Sequence, residues 1–184
     1  MKKALTLITI ALLFSPIAFG QKIITKTAHV KFFSHTPVED IEAHNHQTLS
    51  VLNTENGQIA FSLLMKSFEF EKALMQEHFN ENYMESEKFP SAVFKGNIVS
   101  DEAIDLSQDG TYEVAVKGSL NIHGVQQPTE TTATITVAGN TVTANTKFIA
   151  KPADFDIEIP SVVVKNIAEE IEVTTTLNFN TAKK

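Results

Sequence analysis

The sequence contains no cysteine, no arginine and no tryptophan. The absence of cysteine excludes disulfides, thiolate nucleophiles, cysteine zinc sites and lipid attachment at a cleavage-site cysteine. Stability must therefore come from a hydrophobic core. The absence of arginine, together with a formal charge of −7, leaves no guanidinium groups to pair with phosphates. Nucleic acid is therefore excluded as an expected partner.

Long apolar runs are also scarce, and the clearest one lies at the N-terminus. Two lysines precede an apolar stretch over 4–14, and Ala18 and Gly20 supply the small residues that a signal peptidase reads. The run is well short of the roughly twenty residues of a membrane span, so a retained anchor is the weaker interpretation. We predict a signal peptide over 1–20 and an exported protein, periplasmic or secreted, without a stable membrane anchor.

The remaining 21–184 are enough for one domain with a substantial core, and contain no linker or internal repeat. Apolar and polar residues alternate with a period of two, most clearly over 112–124, as in half-buried strands. Turn dipeptides separate the runs, at Asn56-Gly57, Asp109-Gly110 and Gly139-Asn140. The pattern predicts an all-β, antiparallel domain, either a sandwich or an up-and-down barrel.

One segment departs from this alternation. Phe70, Leu74 and His78 are spaced four apart, and Ser67 precedes them as a possible N-cap. We predict one helix over roughly 69–85, placed so that it could cover an open end of a barrel.

Closure of such a sheet would give every strand an inward face, and the inward candidates are apolar. Alternation alone favours the plain interpretation that they fill a dry core. A hollow barrel would instead let them solvate an alkyl or isoprenoid chain. The predicted ligand-contact residues are Phe61, Leu63, Met65, Phe79, Phe94, Ile98, Val114, Val116, Leu120, Ile122 and Phe148.

Four segments, in order, resemble those of the YceI-like lipid/polyisoprenoid-binding family. Residues 118–125, Gly-Ser-Leu-Asn-Ile-His-Gly-Val, followed by Pro128, resemble its Gly-x-Leu-Thr-Ile-x-Gly-Val-x-x-Pro stretch. Residues 28–32, with a histidine beyond them, resemble its first strand. Residues 77–94 resemble its His-Leu…Tyr-Pro…Phe segment, and 154–156 its Asp-Phe-Gly segment.

The resemblance implies a lipocalin-like, up-and-down antiparallel barrel of about eight strands over 21–184. It also implies a polyisoprenoid or related lipid, such as an isoprenoid quinone, held inside as an amphiphilic partner. The chain departs from the family where Met75-Gln76 replaces its Arg-Asp pair, where its arginine before Asp-Phe-Gly is missing, and where Asp156 replaces its glycine. Headgroup contacts from those arginines are therefore absent.

No constellation of residues indicates catalysis, a metal or a cofactor. His44 and His46 would share one face of a strand and could meet a metal, but no third ligand can be assigned. A polar loop or edge is the favoured interpretation. A nucleophile elbow and a dinucleotide fingerprint are both missing from the sequence. We expect a carrier or sequestering protein rather than an enzyme. A ligand-free envelope stress-response or interaction module is the alternative, and a homodimer is left open.

Overall fold

The computed structural model describes residues 22–100 and 104–181, so the predicted signal peptide over 1–20 lies outside the described residues. Eleven strands form one antiparallel sheet. They are β1 (Lys22–Thr25), β2 (Ala28–His35), β3 (Asp40–Asn45), β4 (Thr48–Asn53), β5 (Gln58–Leu64), β6 (Phe68–Phe70), β7 (Ser91–Val99), β8 (Gly110–Ile122), β9 (Val125–Ala138), β10 (Thr141–Ala150) and β11 (Ile171–Asn180).

The sheet curls into a half-barrel in which the strands near its two edges approach each other. The strand order is β1-β4-β5-β7-β8-β9-β10-β11-β2-β3-β6, and β1 also lies beside β11, as β4 does beside β2. The predicted all-β, barrel-like fold is confirmed, with eleven strands in place of about eight. The difference comes from short strands such as β1 and β6, which contain too few residues to show a clear alternation.

The observed helix is shorter than the one predicted over 69–85. Helix α1 covers Ala73–His78 and continues into a π-helical turn over Phe79–Tyr83. The preceding Phe68–Phe70 pairs with β3 as strand β6, because β3 offers a free edge and the side chain of Phe68 is buried there. The residue before α1 is Lys72, so the prediction that Ser67 caps the helix is wrong.

The two ends of the half-barrel differ. At one end, short turns such as Gly139–Asn140 join the strands, and Val137, Val142 and Phe179 are buried almost completely. We call this tightly filled region the packed half. At the other end, two long connections lie across the opening, and we call 65–90 and 151–170 the cover segments. Among the described residues, no helix has the length and apolarity needed to cross a bilayer.

Candidate functional site: an apolar cavity under the cover segments

A cavity of about 310 Å³ lies between the packed half and the cover segments. Its wall is built from the inward faces of strands that include β2, β5, β8 and β11, and it is closed over by α1 and by 151–170. The volume is within the range of roughly 300–1,000 Å³ that is typical of small-molecule sites. The predicted placement of the helix over an open end therefore matches the structure.

Seven of the eleven predicted ligand-contact residues line this cavity. They are Phe61, Leu63, Met65, Phe79, Leu120, Ile122 and Phe148. The other four, Phe94, Ile98, Val114 and Val116, face inward but belong to the packed half and do not line the cavity. Each strand extends beyond the cavity into the packed half. A period of two indicates which face of the strand a side chain occupies, but not which part of the strand borders the cavity. Ligand contact itself stays a prediction for all eleven residues.

Four phenylalanines form a cluster in the cavity wall near the point where both cover segments meet the β2–β3 connection over 36–39, and we call this point the entrance. Five pairs among the rings of Phe32, Phe68, Phe70 and Phe79 have centroids 5.0–5.6 Å apart, in stacked, tilted and edge-on arrangements. All four line the cavity, but only Phe79 was predicted from the sequence. The Phe-Glu-Phe alternation of β6 was the signal that could have indicated the other two on this segment.

The second cover segment supplies apolar side chains to the cavity, and none of them was predicted from the sequence. Ile157, Ile159, Val163 and Ile167 line the cavity from a stretch that is neither helix nor strand. Such a stretch has no hydrophobic period, so the sequence contained no regular pattern to read.

Polar contacts fasten this cover segment to the wall. The Ala168 backbone N–H donates to Ser34 Oγ at 2.9 Å. Glu39 accepts from Lys72 Nζ at 3.0 Å and from Asn166 Nδ2 at 3.2 Å, and these two donors lower the pKa of the Glu39 carboxyl. The carboxylate therefore stays ionised at the entrance and joins both cover segments to the β2–β3 connection.

Three of the four segments that carry the family resemblance meet at His123. This residue occupies the β8–β9 turn with φ +52°, and its Nδ1 lies 3.1 Å from the Phe155 carbonyl oxygen. Its Nε2 lies 3.1 Å from Glu85 Oε2, and its ring packs on Phe89. At Gly124, with φ +78°, a Cβ would lie 2.6 Å from the Phe89 ring. The motif residues thus hold both cover segments against the barrel.

The Asp156 departure falls on a left-handed backbone position. Asp156 has φ +54° and ψ +32°, immediately after the 3₁₀ turn Pro152–Phe155. An L-residue is strained there, although aspartate tolerates the conformation better than most residues. Glycine has no Cβ to clash, which gives a physical reason for a glycine at this position.

We predict that Asp156→Gly raises the free energy of unfolding by a few tenths to about 1 kcal/mol, because relief of left-handed strain exceeds the added chain entropy. Urea denaturation measures the change. Asp154→Gly is the matched control, since Asp154 lies within the 3₁₀ turn and should lose stability. Equal losses in both variants would contradict the strain at Asp156.

A third histidine joins the His44–His46 pair on the outer face of the sheet. His29 Nε2 lies 2.9 Å from His44 Nδ1, and the His29 ring stacks on His46 with centroids 4.6 Å apart. Burial and the two neighbouring histidines lower the pKa of His29. The rings stack instead of converging on one point, and no group arranged to hold a metal ion occurs in residues 22–100 and 104–181.

Comparison with known proteins extends the match to nearly all of the described chain. A family model described as the YceI-like domain matches residues 22–179. No curated protein sequence matches this chain.

Solved structures show the same fold at low identity. A polyisoprenoid-binding domain from Saccharophagus degradans, implicated in plant cell wall breakdown, superposes with a TM-score of 0.73 at 13% identity, covering 88% of this chain and 98% of that one. Burkholderia cenocepacia BcnA gives 0.70 at 15% identity over 82% and 95% of the two chains. A Campylobacter jejuni YCEI protein gives 0.57 at 12% identity over 100% of both.

Proposed function

This chain belongs to the YceI-like domain family, and from that premise we propose that it binds an amphiphilic lipid with a long apolar chain. The ligand class is a polyisoprenoid or an isoprenoid-quinone-like lipid, and the protein acts as an exported carrier or sequestering protein, periplasmic or secreted. The observation that carries the proposal is the apolar cavity of about 310 Å³ beneath the cover segments.

The energetics favour an apolar chain. Burial of apolar surface contributes about 25 cal/mol per Å², so a chain enclosed by aromatic and aliphatic side chains is held without specific polar contacts. The phenylalanine cluster at the entrance and the isoleucines of 151–170 extend this apolar surface over the cavity. The resemblance to a polyisoprenoid-binding domain supports the same class of ligand.

The cavity wall favours binding over catalysis. Among the described residues that line the cavity, Glu39 has the only carboxylate, and it is already engaged by Lys72 and Asn166. A general base has to be free to reach the proton that it abstracts. His78 also lines the cavity, but the described lining residues offer it no carboxylate other than the engaged Glu39 to orient its ring. We therefore propose a binding protein and not a lipid hydrolase or isomerase.

The alternative is a ligand-free envelope stress-response or interaction module. A module of that kind needs only a solid core, which the packed half already provides. The cavity above the packed half favours the lipid carrier. An empty apolar cavity lowers the stability of a fold, and a module without a ligand would gain nothing in return.

Native mass spectrometry of protein purified from its own host tests the proposal. We expect a complex with one lipid per chain, and organic extraction should release a molecule with a long apolar chain. A spectrum of the bare polypeptide alone, from the same gentle preparation, would instead support the ligand-free module.

A further inference from the structure

The charge distribution around the cavity restricts the polar end of the ligand. Among the described residues that line the cavity, Glu39 carries the only permanent charge. The lining residues that the structure describes include no lysine, and the chain contains no arginine. The neutral polar side chains of the wall include Ser34, Tyr83 and Asn166. The wall therefore offers hydrogen bonds but no fixed cation.

The segments around the entrance are acidic as well. The cover segments and the β2–β3 connection over 36–39 together contain twelve carboxylates and five lysines. Four of those lysines already pair with carboxylates, in the pairs Lys66–Glu87, Lys72–Glu39, Lys88–Glu85 and Lys151–Glu170. The fifth is Lys165. The entrance thus has a negative potential, and most of its positive charge is compensated locally.

We propose that this cavity selects lipids whose polar end is uncharged, such as a prenyl alcohol or a quinone, and rejects the same chain ending in a phosphate or diphosphate. The inference rests on the proposed lipid-binding function and specifies the ligand of that same site. Transfer of a phosphate from water to this entrance removes part of its hydration without supplying a partner cation. The neighbouring carboxylates repel it further.

A matched pair of ligands tests the selection. Farnesol and farnesyl diphosphate share one apolar chain and differ in the charged group, and each is titrated against delipidated protein that holds the fluorescent apolar probe N-phenyl-1-naphthylamine. The chain has no tryptophan, so the protein's own emission is weak. The titration is run at about pH 8, above the ordinary pKa of about 6.5 of a histidine side chain.

We expect farnesol to displace the probe at a concentration at least about tenfold below that of the diphosphate. The ratio of the diphosphate concentration to the farnesol concentration needed for displacement should decrease when the salt is raised from about 20 mM to about 300 mM, because salt screens the repulsion at the entrance. A ratio near one, or tighter binding of the diphosphate, would overturn the selection while leaving lipid binding intact. If neither compound displaces the probe, the proposed function fails together with the selection.

Two single-charge variants identify the source of the selection. Glu39→Gln removes the carboxylate of the wall and releases Lys72, so the ratio of the diphosphate concentration to the farnesol concentration needed for displacement should fall about threefold or more. Glu55→Gln changes the net charge equally, but Glu55 lies in the β4–β5 turn at the far end of the barrel and should leave the ratio unchanged. Equal ratios in the two variants would refute the role of the entrance charge.

Discussion

Replacement of Leu120 with tryptophan is expected to remove most of the bound lipid while leaving the protein folded. Leu120 is 4% exposed and sits where the packed half ends and the cavity begins, so its side chain lines the cavity floor. The larger indole would extend into the hollow of about 310 Å³ and occupy volume that the ligand needs. Because empty space is available there, the free energy of unfolding should change by no more than about 1 kcal/mol.

The same substitution in the packed half gives the matched control. Leu177 is also 4% exposed, but it belongs to the packed half and does not line the cavity. Leu177→Trp forces an indole into filled space, and overpacking of this kind typically costs about 1–3 kcal/mol. The two variants thus separate loss of cavity volume from loss of packing.

Lipid content and stability are measured on the same preparations, by extraction with mass spectrometry and by urea denaturation. The introduced tryptophan is the only one in the chain, so its emission reports whether the indole is buried. Unchanged lipid content in a folded Leu120→Trp variant would contradict the placement of the ligand in this cavity. If Leu120→Trp loses lipid but also lowers the free energy of unfolding as much as Leu177→Trp does, that result would contradict the empty space beside Leu120.

The inward faces of the strands were predictable because a strand places alternate side chains on opposite sides. Leu120 and Val116 illustrate both the success and the limit of that argument. Both face inward as predicted, but Leu120 lines the cavity and Val116 lies in the packed half four residues away along β8. The height at which a barrel is hollow depends on which side chains meet from opposite walls, and the sequence of one strand does not contain that information.

The covering of the cavity was the least predictable part. Phe68 and Phe70 joined β3 because a free strand edge was available, which is a tertiary effect that overrides the helical spacing of 70–78. The apolar residues of 151–170 had no period at all. The third histidine was missed for a similar reason, since His29 reaches His44 only through the register of β2 with β3.

Gly118→Ala is expected to be the most destabilising small substitution in the barrel wall. Gly118 on β8 lies directly opposite Gly96 on β7, and the Phe94 ring lies against both. A Cβ at Gly118 would lie 2.4 Å from the Lys95 carbonyl oxygen, 2.6 Å from Gly96 Cα and 2.7 Å from Phe94 Cζ. Two of these three neighbours are backbone atoms and cannot rotate away, so strands β7 and β8 would have to separate locally.

The expected loss in the free energy of unfolding is about 3 kcal/mol, at the upper end of ordinary overpacking because the backbone itself must shift. Gly110→Ala is the matched control in the same strand. The three atoms nearest to its Cβ would all belong to Tyr112, at 3.5 Å or more, and removal of glycine's chain entropy should leave stability unchanged or raise it by about 0.5 kcal/mol. Urea denaturation of the two variants measures the difference. Coincident midpoints would show that β7 and β8 can absorb a methyl group at Gly118, and the close approach that holds the Phe94 ring below the cavity would then have no energetic importance.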